Sequence, residues 1–131
     1  MLAMKAIDTY TILAAQAYAL LQQANGAQLA LELCLPCLAA LQEICTGAAG
    51  QLSFCFPLFS TAVARIAHCL MIIGGESPLQ NQALGTVRRI MLTVASTKSL
   101  ARFFALFAAA MIEVLVACNS SGRHGAEPLV S

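Results

Sequence analysis

Cys34-Leu35-Pro36-Cys37 is the spacing in this chain that most suggests a reaction. Two thiols separated by two residues near a helix start can share a lowered pKa and cycle between dithiol and disulfide. That chemistry would make Cys34 and Cys37 the catalytic pair of a thiol–disulfide redox protein. Their surroundings argue for a plainer role. Leu31, Leu33 and Leu38 pack the neighbourhood with apolar groups, no strand precedes the pair, and free cysteine is among the most buried residue types. The residues therefore favour two core cysteines beside a helix kink at Pro36.

Metal chemistry has a weaker basis. Cys34, Cys37, Cys45 and His68 are zinc-type ligands, yet no second close pair completes the usual four-ligand spacing. His68 and Cys69, adjacent on a helix, point about 100° apart. No metal and no cofactor is expected. The chain has no glycine-rich phosphate loop, no paired Glu-x-x-His arrangement and no serine with a plausible His and Asp set. Glu113 is the remaining titratable group of interest. Paired with Arg65, Arg88 or Arg89 it would form a buried ion pair that fixes helix register more than it stabilises. Unpaired, it would be a proton-handling carboxylate.

The elements that must position these groups read as helices. The stretch 98–119 holds no Gly or Pro, and past its first residue its only charges are Arg102 and Glu113. About 20 residues at 1.5 Å each make a rod of roughly 30 Å. Such a helix must be sheathed on nearly every side by protein or lipid, and the rest of the chain is expected to pack around it. Phe103, Phe104, Phe107 and Met111, with Arg102 at the edge, are its candidate binding residues.

Four further segments precede it, each with apolar residues at steps of three and four. Residues 3–24 set Ile7, Tyr10, Leu13, Ala14 and Ala17 against Lys5, Asp8 and Gln16, and Asn25-Gly26 ends that helix. Residues 27–46 set Leu31, Cys34, Leu38, Leu41 and Cys45 against Gln28, Glu32, Gln42 and Glu43, with a kink or restart expected at Pro36. Residues 51–73 carry Phe54, Phe56, Leu58, Phe59, Val63, Ile66, Leu70 and Ile73 beside a narrow seam of Ser53, Ser60, Thr61, Arg65 and His68. Gly74-Gly75 closes this helix, and Ser77-Pro78 opens the next with a cap and a first-turn proline. Residues 79–95 place Leu84, Val87, Met91, Val94 and Ala95 inward, with Gln82, Arg89, Thr93 and Ser96 outward. No segment alternates with period two, so no sheet is expected. The sequence thus predicts an all-α, single-domain bundle of about five helices over 1–119, packed around a central hydrophobic helix, and a flexible C-terminal tail at 120–131.

Seven basic residues against six acidic leave a net charge of +1, too little field to attract a polyanion, so no nucleic acid partner is expected. Only 10% of residues are charged and 60% are hydrophobic, with mean hydropathy +0.79. An ordinary soluble domain carries about 25% charge. Copies of the chain, a protein partner or lipid must therefore cover part of the surface. Arg65 and Arg88-Arg89 fall well inside helices, and a central charge costs about 2.5–3.5 kcal/mol in a bilayer. The leading expectation is a non-enzymatic bundle that binds a protein partner or assembles with itself as a homo-oligomer. A small multi-span integral membrane protein is the alternative. Residues 1–8 lack a basic n-region and an apolar h-region, which predicts the cytoplasm or another reducing compartment, with free cysteines; membrane association is again the alternative.

Arg102-Phe103-Phe104-Ala105-Leu106-Phe107-Ala108 resembles the start of the central hydrophobic helix of Bcl-2-type apoptosis regulators, and 79–94 would correspond to the helix before it. The resemblance covers about a third of the chain and implies a helical apoptosis regulator. Ser99-Leu100-Ala101 departs from the Asn-Trp-Gly of that family, no Leu-x-x-x-Gly-Asp motif is convincing, and little chain follows for its remaining helices.

Overall fold

Asn25 adopts a left-handed conformation, φ 65°, and turns the chain from α1 (Leu2–Leu20) into α2 (Gly26–Gly47). Asparagine tolerates this region better than most residues. Gly26 follows for a steric reason: a Cβ there would overlap the backbone carbonyl of Leu20. The computed structural model describes residues 2–75, 77–114 and 116, so the tail expected at 120–131 lies outside the described residues.

α2 runs through Pro36 instead of restarting there. Pro36 and Glu32 are both exposed, so the carbonyl that loses its donor lies on the solvent side, where water can replace it. α3 (Ala49–Ile73) does bend, at Cys55, whose φ of -133° leaves the helical region two residues before Pro57. Pro57 also has no N–H to donate back to the Ser53 carbonyl, so the ladder is interrupted at this bend. α4 (Pro78–Ser96) begins as its sequence predicts: the Gln80 backbone N–H donates to Ser77 Oγ at 3.1 Å, with Pro78 in the first turn. After the joint at 97–100 comes α5 (Ala101–Val114), bent by 115° from α4, with a 3₁₀ first turn at Ala101–Phe103. The described residues form an all-α bundle of five helices with no strand.

The helix at the centre is α3, not the segment 98–119. Leu52, Phe56, Phe59, Val63, Ile66 and Leu70 are fully buried, and Ala62, Ala64 and Ala67 are buried between them. Burial at 62, 63, 64, 66 and 67 extends around most of a turn, so neighbours cover α3 on more than one side. Composition explains this. α3 carries a single Lys, Arg, Asp or Glu, Arg65, in 25 residues, and its alanines let other helices approach closely. α5, by contrast, buries Phe107 and Met111 but leaves Arg102, Ala105, Leu106, Ala109, Ile112 and Glu113 exposed. Of the residues expected inside, Phe54, Leu58, Leu84 and Ala95 are also exposed, Phe54 by 83%.

α3 and α4 are tied by one buried polar group. Gln80, 2% exposed, donates from Nε2 to the Leu70 carbonyl at 2.7 Å, while its Oε1 has no hydrogen-bond partner among the described residues. Two glycines give opposite expectations for stability. Gly26→Ala forces backbone apart and is expected to cost about 2–3 kcal/mol. Gly85→Ala, within α4 and 4.0 Å from the end of the Arg89 side chain, is expected to gain about 0.5–1 kcal/mol. Urea unfolding followed by circular dichroism measures both.

Candidate interaction surface

Cys34 and Cys37 lie on the inner face of α2, each 1% exposed. A covalent partner cannot reach them without opening the bundle. Cys34 faces Cys69 of α3, and Cys69 Sγ in turn contacts the Ala14 carbonyl of α1 at 3.8 Å. The hydrogen bond with Cys69, then burial, push the Cys34 thiol far above the ordinary cysteine range; burial alone pushes Cys37 up. This is the reverse of an activated nucleophile, which needs a lowered pKa and access. Cys34, Cys37, Cys45, Cys55 and Cys69 are all free and buried. They serve as small apolar residues where α1, α2 and α3 meet. Among the described residues, no three metal-ligating side chains converge.

The sequence-derived binding residues fall on two sides of α5. Phe103 stacks on Phe56 with centroids 4.8 Å apart and 11° between planes, and Phe107 meets Phe56 edge-on at 5.9 Å and Phe59 at 6.2 Å. Phe107 and Met111 are buried and Phe103 and Phe104 half-buried, so these residues dock α5 onto its own chain. Arg102 is exposed, its guanidinium 4.8 Å from the Phe103 ring centroid. The opposite face of α5 is open: Leu106 is 53% exposed, Ile112 58% and Val116, just beyond, 58%. Sequence reasoning chose the aromatic side and missed this one. The signal that would have found it is the pair Arg102 and Glu113, whose eleven-residue spacing places both on one stripe and marks that stripe as the outer one.

Glu113, Arg65 and Arg88 are all exposed, so they make no buried ion pair. Arg65 and Glu113 do share a groove of about 320 Å³ between α3 and α5, with Thr61, Ala64, His68, Ala110 and Val114. On its other side Arg65 lines a second groove of about 250 Å³ with His68, Ala14, Ala15 and Tyr18 of α1. The Tyr18 and His68 rings lie 5.7 Å apart. Arg65 and His68 thus stand on the open stripe of α3 between α1 and α5, an arrangement with donors but no nucleophile or carboxylate pair.

The chain shows no match when compared with protein-family profiles, with curated proteins or with solved structures. The helix that carries the likeness to Bcl-2-type regulators, α5, is peripheral here, with α3 in the central place.

The thiols give a pH dependence. Burial pushes Cys45 up to about 11 from 9.0, so from pH 9.0 to about 11 the unfolded chain releases a proton that the folded chain retains. The sign is fixed by this: the contribution to stability is complete below pH 9 and is lost as pH rises. The urea midpoint is expected to fall across that window, and less so in Cys45→Ala. At neutral pH, an aromatic disulfide reagent is expected to leave Cys34 and Cys37 unmodified until the protein is unfolded.

Proposed function

We propose that this protein works by association, without an enzymatic activity of its own, covering an apolar helix face with a protein partner or another copy of itself. The observation that carries this reading is the outer face of α5, where Ala105, Leu106, Ala109, Ile112 and Val116 are exposed side by side. Leaving Leu and Ile side chains in water forfeits roughly 25 cal/mol per Å² that association would recover, before ordering costs. Hydroxyls on the outer faces do little to offset this. Thr61, Thr86, Thr93 and Ser96 each donate to a carbonyl of their own helix, which uses their polarity locally. The burial of Cys34 and Cys37 supports the same reading, since the one spacing with chemical promise is shut away from solvent.

A second reading has an observation of its own. α2 and α3 are long and apolar enough to cross a membrane, and α4 with α5 adds a third span if the bent pair counts as one. The outer faces weigh against it: Gln28, Glu32 and Glu43 on α2, and Gln82, Arg88 and Arg89 on α4, are exposed where lipid would lie.

Light scattering during size exclusion, without detergent and over a wide concentration range, tests the two. The association reading expects a discrete oligomer, and Leu106→Ser with Ile112→Ser is expected to dissociate it while changing fold stability by no more than about 0.5 kcal/mol, because both positions are solvent-facing. Extraction that requires detergent, with unchanged size in the double variant, would favour the membrane.

A further inference from the structure

The outer face of α5 carries a charge order that fits a second copy of itself. Its exposed residues run Arg102, Ala105, Leu106, Ala109, Ile112, Glu113 and Val116, at steps that keep them on one stripe. Arg102 and Glu113 are about three turns apart, roughly 16 Å along the axis, and the exposed residues between them are apolar. A second α5 laid parallel would set arginine beside arginine and glutamate beside glutamate. Laid antiparallel about the midpoint between Phe107 and Ala108, it sets Arg102 opposite the partner's Glu113 at both ends. Leu106 then falls opposite Ala109, so a large side chain on each copy meets a small one on the other. The interface is self-complementary and closes on a two-fold axis, leaving no free end to propagate.

We propose that α5 forms a two-fold, antiparallel homodimer with its own copy, bounded by two Arg102–Glu113 pairs between subunits. The proposal rests on the association reading above and names its partner. Arg102 is held close to its place by the Phe103 ring beneath it. The competing cation for Glu113 within one chain is Arg65, across the groove they share, and the two make no ion pair there. The charges contribute orientation, since like charges across an interface are strongly disfavoured, and the apolar stripe between them contributes the affinity.

Sedimentation equilibrium of the full chain, with circular dichroism to confirm the fold, tests this. Arg102→Glu alone and Glu113→Arg alone are each expected to weaken the dimer by about tenfold or more, because each sets like charges at both ends. An equimolar mixture of the two variants restores opposite charges at both ends and is expected to dimerise as the parent does. Arg65→Ala is expected to dimerise unchanged. In the parent chain, raising the salt concentration is expected to weaken the dimer, a measurement that needs no variant. Dimers that survive each charge reversal, or a mixture that stays dissociated, would overturn the antiparallel arrangement and leave association by another surface standing. A chain that is monomeric at every concentration, including one that sediments with phosphatidylcholine vesicles, would overturn both.

Discussion

The contact on which the arrangement turns is the aromatic cluster of Phe56 and Phe59 from α3 with Phe103 and Phe107 from α5. Four rings in offset, tilted and edge-on contact fix not only that α5 packs on α3 but which way it is rolled. Once Phe103 and Phe107 face inward, helical geometry carries Arg102, Leu106, Ala109 and Glu113 to the far side. The exposed stripe is a consequence of the buried one. The direction is set too: Phe103 and Phe107 meet Phe56 and Phe59, while Ala110, Glu113 and Val114 lie beside Thr61, Ala64, Arg65 and His68, so α5 runs parallel to α3.

Much of the fold was legible from periodicity and punctuation. Asn25, Gly74-Gly75 and Ser77-Pro78 each mark a helix boundary through a local preference, a left-handed φ, a flexible pair or a cap, that needs no tertiary context. The class followed from the absence of any period-two run. What the residues did not disclose was the identity of the central helix. The segments 51–73 and 98–119 were both poor in charge, and a tally of charges does not separate a helix covered on many sides from one covered on a single face. The distinction lies in how charges are placed: Arg102 and Glu113 share a stripe, which requires a wet side, whereas the small residues Ala62, Ala64 and Ala67 are spread around α3 and permit close neighbours in several directions.

The candidate site was legible in part for the same reason. Cys34 and Cys37 carry a spacing associated with reactivity, yet reactivity is set by environment, and here three helices converge on the thiols and exclude water from them. Arg65 and His68 read as a seam on α3, which they are. That Tyr18 and Glu113 would meet the same seam from α1 and α5 depends on packing between helices distant in sequence.

Gln80 gives α4 something its hydrocarbon contacts lack, a single correct height. Alanine, valine and isoleucine on the inner face of α4 would fit a neighbouring helix almost as well after sliding by one turn. The side-chain amide would not: a shift of about 5 Å takes Nε2 away from the last turn of α3 and strands both of its ends in a dry interior. One half-satisfied amide thus acts as an index pin, trading some stability for a unique alignment of two otherwise slippery surfaces.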